Sequence, residues 1–401
     1  MNRILMNMRI NSGRKMARRA LVLGAFLVLP ALLAFAAHSV FVTVPFHSEE
    51  ALTWCGPATG QMVIGGYPAS ACTRDQADVA ASILAHKVES NWDTDPAGLR
   101  DAMMEQCPPP GGHWAVFSTV NSSQLMYSVA YWMTHNHYPV AVLLGTSAHN
   151  SFLPHQEHWI VVKGIITDVD PTTNPTVNLQ YVNFVDPSPL NFGDPPIEVF
   201  ASAFQWSGLL TAVTKSPSAY QGKFVAVIEP PPTEGHAVIP GRPVATGRVI
   251  PGSEAVRFAR EAVETLKLAG MPSFREFAQA RPLEPLLVNA ERGGYYLVPF
   301  SVDQRTTTLA VLVNAYNGQF LEAGHFAARA LLSEGAAVER VRGALKIQRP
   351  LTRADYMAAL VSSPDTSERY FPEWSIKTRG RTLMVPQHGT VHEVQVQTNP
   401  Q

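Results

Sequence analysis

Cysteine is scarce in this chain: Cys55, Cys72 and Cys107 are the only three in 401 residues. That count excludes a dense disulfide scaffold and any four-cysteine zinc site. No His-Glu-x-x-His run occurs either. His135 and His137, then His149, His155 and His158, fall close together but without metal-ligand spacing, so the sequence is read as holding no metal and no cofactor. An excess of either charge is also missing. There are 31 basic and 32 acidic residues, a formal net charge of −1, which excludes the basic footprint of a nucleic-acid partner. Long apolar runs are missing beyond the first forty residues, so any membrane contact is confined to the N-terminal segment.

That segment reads as a targeting signal. Arg9, Arg14, Lys15, Arg18 and Arg19 precede an uncharged apolar stretch from Ala20 to Ala37, and Ala34-Phe35-Ala36 supplies small residues at cleavage spacing. A signal peptide over residues 1–36 and an exported protein, periplasmic or extracellular, are expected. Met16 is an alternative start, and an uncleaved N-terminal anchor is the alternative fate.

Of the three cysteines, Cys55 has the most informative neighbours. It sits in Trp54-Cys55-Gly56-Pro57-Ala58, after a strand-like Val42 to Phe46. Pro57 suits a first helical turn, where its missing N–H costs nothing. Ala58, Met62 and Val63 continue at helical spacing until Gly65-Gly66. A thiol at a helix N-terminus meets oriented peptide dipoles that favour its thiolate.

The partners of a nucleophilic thiolate lie downstream. His158 opens the β-rich run to Ile165, and a second run, Val177 to Val185, ends at Asp186-Pro187. The turn-rich Asp168 to Pro175 separates them, predicting an antiparallel hairpin folded near Thr172. That register sets His158 opposite Asp186, with Cβ atoms about 5 Å apart. Asn183, the competing third member, would face Val161 on the other side of the sheet. A Cys–His–Asp set in this chain order makes chemical sense for nucleophilic catalysis.

Together Val44-Pro45-Phe46, Trp54 to Ala58, His158 to Gly164 and Val185-Asp186-Pro187 resemble a papain-like cysteine peptidase, in the branch that includes the bacteriocin-processing, double-glycine peptidases. The resemblance covers roughly residues 40 to 229. It implies an α+β papain-like domain that cleaves a peptide or protein substrate. Cys55 would attack the peptide carbonyl, His158 would carry the proton and Asp186 would orient His158. Acyl transfer through the same thioester, or a catalytically silent papain-fold binding protein, are the alternatives. With Cys55 so assigned and the protein exported, an oxidising compartment favours a Cys72–Cys107 disulfide.

One position departs from that family. Six residues before the nucleophile, papain-like enzymes carry a Gln whose amide helps bind the oxyanion; here that residue is Glu49. An ionised Glu49 repels an oxyanion, whereas a protonated one donates a hydrogen bond but needs a raised pKa. Losing one oxyanion donor costs about 3 kcal/mol of transition-state stabilisation.

The remaining sequence organises around this set. Residues 38–229 are expected to be helix-rich first (Cys55–Ile64, Asp75–Ala85, Asp95–Glu105, Ser122–Thr134) and strand-rich later (Tyr138–Leu144, the two site strands, Lys223–Ile228). Trp54 and Trp159 are read as core aromatics. A Pro/Gly-rich linker, residues 230–252, leads to a smaller α+β accessory domain over 253–395. There Ser253 is expected to cap a helix to Leu268. Tyr295–Phe300 and Thr307–Glu322 are expected strands, with a turn at Asn317-Gly318. Thr352 is expected to cap a helix to Val361. Glu373–Lys377 should be a strand, and Leu383–Glu393 a hairpin around His388-Gly389. Two such helix-plus-hairpin units, with Ala315 to Phe320, weakly resemble PepSY-type modules, which implies a binding role or one that regulates the peptidase domain.

Overall fold

The first helix has little choice but to be central. Every residue from Gly56 to Ile64 is buried, and a helix apolar on all sides belongs inside a core. The computed structural model describes residues 38–66, 72, 74–108, 114–144, 157–174, 176–188, 194–228, 237–238, 247–290, 293–362, 369–387 and 389–394. It is a mixed α+β fold. The expected signal peptide, most of the expected linker, and His149, His155 and His388 lie outside the described residues. Among the described residues no helix is long and apolar enough to cross a membrane.

In the N-terminal part, β1 (His38–Phe41) leads to α1 (Cys55–Gly65), α2 (Gln76–His86) and α3 (Pro96–Gln106). Next come β2 (Ala115–Thr119), α4 (Ser122–Asn136), β3 (Val140–Leu144) and β4 (His158–Thr167). After them run β5 (Thr176–Val177), β6 (Leu179–Asp186), β7 (Ile197–Ser202), α5 (Ala203–Leu209), β8 (Phe224–Ile228) and β9 (Ala237–Val238). The expected helices all form, within two residues of their expected ends. The strand expected at Val42–Phe46 does not: β1 lies just before it, and only Val42 continues, its N–H bonded to the Lys163 carbonyl. Asp95 caps α3 as expected, its carboxylate accepting from Gly98 N at 2.6 Å with Pro96 in the first turn. Cys72 and Cys107 are joined, with Cα atoms 5.8 Å apart, tying the approach to α2 to the end of α3.

The sheet runs in the order β2-β8-β3-β4-β6-β7, with β1 also paired to β4. Strand alternation divides the core between its faces. Trp159, Val161 and Val185 pack with α1 and α3, while Ile160, Val162 and Phe184 pack with α4. Strand β4 is therefore covered on both sides, which fixes the side chain at its first position, His158.

The sheet does not stop at β7. The C-terminal part contributes α6 (Gly252–Thr265), β10 (Arg281–Pro282), β11 (Leu286–Asn289), β12 (Tyr295–Ser301), β13 (Thr307–Asn314), β14 (Phe320–Arg329), α7 (Glu334–Ala344), β15 (Tyr356–Val361), β16 (Glu373–Thr378), β17 (Arg381–Val385) and β18 (His392–Glu393). Strand β14 pairs antiparallel with β7, Glu322 opposite Ala201 and His325 opposite Glu198, so both parts share one sheet. Order then runs β14-β13-β12-β11-β15-β16-β17-β18, with only β11 and β15 parallel. The helix α6 packs on Val298, Val311 and Val313, whereas α7 packs with Trp374, Ile376 and Leu383. The first unit is thus one helix followed by five strands and the second one helix followed by four, antiparallel within each unit.

Two expectations fail here. Ser253 is the second residue of α6 and not its cap, because the helix begins at Gly252, with Pro251 in the cap position. Residues 356–361 are strand, not helix: pairing with β11 on one side and β16 on the other overrides a weak local preference. The helix of the second unit is α7, capped by Ser333, whose side chain accepts from Ala336 N at 3.3 Å. The turn at Asn317-Gly318 forms as expected, with Gly318 at φ +69°.

Candidate active site

Three separate segments bring the site together. Cys55 is the first residue of α1, half-buried and free of any disulfide. The chain reaches it through Thr53, a β-branched residue held at φ 71°, a conformation that costs energy and turns the backbone sharply into the helix. His158 begins β4 and Asp186 ends β6; both are buried. The Asp186 Oδ1 atom lies 2.7 Å from His158 Nε2, leaving Nδ1 as the ring nitrogen for the thiol. Ligand-type atoms of Glu49, Cys55 and His158 all lie within 4.8 Å of one another.

The register that achieves this differs from expectation. Val161 pairs with Val185, so Asp186 stands beside Ile160 and reaches His158 diagonally. The hairpin is centred near Thr173, not Thr172, which slides the strands by two residues. Because side chains alternate with period two, a two-residue slide keeps Asp186 on the His158 side. A bulge between Val162 and Gly164 then sets Asn183 opposite Gly164 instead of Val161. The Asn183 amide donates from Nδ2 to the Val199 carbonyl at 3.0 Å and takes no part in the site.

The electrostatics follow from burial and close partners. Burial alone would disfavour a charged His158. The adjacent Asp186 carboxylate, its hydrogen bond and the Cys55 sulfur outweigh that, and the imidazole pKa lies well above its ordinary value. Glu49 moves upward chiefly because burial disfavours its carboxylate; His158 and the Ser188 hydrogen bond pull it back in part, and Asp186 adds a smaller upward push. Only 9% of Glu49 is exposed. Its Oε1 accepts a hydrogen bond from the Ser188 hydroxyl.

Sequence reading missed the groups that hold these side chains. Ser188 N donates to Asp186 Oδ1 at 2.9 Å, the same oxygen that faces His158. Ser188 therefore links Asp186 to Glu49. The Asp186-Pro187-Ser188 spacing is an Asx-turn signal that could have flagged it. The Glu49 N–H donates to the Pro187 carbonyl at 3.0 Å. The buried Gln76 side chain grips the same loop, its Oε1 accepting from Glu50 N at 2.8 Å and its Nε2 donating to the Ser48 carbonyl at 2.9 Å. Trp159, a core aromatic as expected, donates from Nε1 to the Thr94 carbonyl at 3.2 Å.

No protein family matches the chain, and neither a curated protein nor a solved structure does. The site's chemistry is therefore read from its own atoms.

Gly56 has a reason to be glycine. A Cβ there would fall 2.3 Å from Thr94 Cγ2, and Thr94 is held by its own bond to Trp159. Gly56→Ala should cost about 1–3 kcal/mol by overpacking and move Cys55 away from His158. Chemical denaturation and Cys55 alkylation rates check it. Unchanged values for both would mean that this contact does not set the position of Cys55.

Proposed function

We propose that this protein is a cysteine peptidase with a papain-like catalytic arrangement, exported by its N-terminal segment. One observation carries the reading: a free thiol at a helix N-terminus lies beside a buried histidine that a buried carboxylate holds at 2.7 Å. Cys55 Sγ adds to the carbonyl carbon of a peptide bond. His158 then gives a proton to the leaving amine, and a thioester remains on Cys55. Water, deprotonated by His158, adds to the thioester and releases the carboxylate product. Asp186 orients the imidazole and stabilises its charged form.

The oxyanion would be held by the Cys55 backbone N–H and by Glu49 in its protonated form. The raised pKa of Glu49 supports that role. We read the C-terminal units as PepSY-like modules that act on the peptidase part through β14, since β7 lies between β14 and the strand that ends in Asp186.

The test is hydrolysis of a diverse peptide library by the full chain in the presence of a chelator, with Cys55→Ala alongside. Cleavage by the parent protein, lost in Cys55→Ala, is the expected result. Peptide binding without cleavage, equal in both, would replace this reading with a silent binding protein. Transfer of the acyl group to an added amine in preference to water would replace it with an acyltransferase.

A further inference from the structure

Glu49, Cys55 and His158 offer a carboxylate oxygen, a thiol and an imidazole nitrogen converging within 4.8 Å. We propose that these three side chains form a binding site for a divalent zinc-class metal ion, which caps the Cys55 sulfur when bound. No short-range motif hints at it, because metal-ligand motifs are recognised by short spacing, and here the strand-start ligand His158 lies more than a hundred residues beyond the loop and helix-start ligands Glu49 and Cys55.

The donor set is selective. A thiolate with an imidazole suits zinc and its borderline-soft neighbours, not calcium or magnesium, which want oxygen. Metal–ligand bonds of about 2.0–2.3 Å place tetrahedral donors about 3.5 Å apart. The three groups therefore need to close by roughly 1 Å, within reach of side-chain rotation at Glu49 and Cys55. Three protein ligands leave a fourth position open to water or another small ligand.

The surroundings are those of a metal-binding histidine. Asp186 takes the far ring nitrogen, Nε2, at 2.7 Å, the carboxylate–histidine arrangement that fixes tautomer and ring orientation and strengthens the ligand. Ser188 in turn holds both Asp186 and Glu49. A glutamine at position 49 would supply a neutral, much weaker donor, so the carboxylate that is awkward for an oxyanion is the one that completes the metal site. Binding displaces whatever protons Cys55, His158 Nδ1 and Glu49 hold in the metal-free site and ties up the sulfur electron pair that would otherwise attack a carbonyl. The site stands whether or not the protein is a peptidase.

The experiment is titration of the chelator-stripped full chain, disulfide intact, with Co²⁺, followed by displacement with Zn²⁺. A thiolate-to-cobalt charge-transfer band that saturates at one equivalent and vanishes with Zn²⁺ is expected. Cys55→Ser should lose the band. Asp186→Asn should weaken cobalt binding about 10–100-fold, and Glu49→Gln, a direct ligand, by at least about tenfold. Bound Zn²⁺ should also protect Cys55 of the parent protein from alkylation, a readout that needs no variant. No band together with unprotected Cys55, or equal affinity in Glu49→Gln with an unchanged circular dichroism spectrum, would overturn the site. Neither readout involves hydrolysis, so failure here is separable from failure of the peptidase reading.

Discussion

Glu49→Gln is expected to raise peptide hydrolysis at neutral pH, by up to about 100-fold, measured as kcat/KM with a chelator present. The size follows from one restored oxyanion donor, worth about 10²–10³ in rate. The parent protein should show a different profile, gaining activity as pH falls and Glu49 takes up its proton, whereas the Gln variant should lack that gain. Stability offers a second check. The folded-state pKa of Glu49 is raised by burial, so across the window between its unfolded and folded values the folded state binds more protons. Stability must then decline as pH rises through that window. Glu49→Gln removes that decline and should raise the melting temperature at neutral pH more than in mild acid. If neither the rate profile nor the melting curve changes, Glu49 does not limit the site.

Asp186→Ala should lower kcat/KM about 10²–10⁴-fold, the range over which an oriented acid–base histidine contributes. Asn183→Ala should leave it within a few-fold. The two residues are three positions apart on β6, yet their contacts differ completely. Asp186 holds His158 Nε2 and the Ser188 N–H, while Asn183 is spent on the Val199 carbonyl. The imidazole charge depends on the Asp186 carboxylate, so Asp186→Ala should also bring the His158 pKa down, as read by NMR titration. Asn183→Ala should not. The reverse order of effects would reassign the third member of the site.

How much of this was legible in the sequence varies with the range of the interaction. Local signals served well. Pro57 and Gly65-Gly66 bound α1, Asp95-Pro96 starts α3, and Asn317-Gly318 turns β13 into β14, because each depends on its own few residues. The partnership of His158 with Asp186 was visible because the hairpin joining their strands is local too. Its register was not, since a one-residue shift of the turn centre moves the pairing by two and Lys163 adds a bulge between Val162 and Gly164. The alternation of strand side chains kept the correct face despite that slip. Long-range contacts left no trace. Nothing in residues 197–202 signals that β7 will pair with β14 across more than a hundred residues. Nothing near Tyr356 announces the two neighbours that make it strand. Ser188 and Gln76 likewise acquire their roles only when the Glu49 loop is folded against them.

The central claim is that His158 activates the Cys55 thiol, and alkylation of the unreduced, purified protein across pH tests it most directly. Intact mass would count the labelled thiols, with His158→Ala measured in parallel. The account predicts one alkylated cysteine, Cys55, since Cys72 and Cys107 are bonded to each other. It also predicts rapid reaction of Cys55 and marked slowing in His158→Ala, because the imidazole that would take the thiol proton is then gone. Slow labelling that ignores the loss of His158 would contradict it and favour the reading of a catalytically silent binding protein.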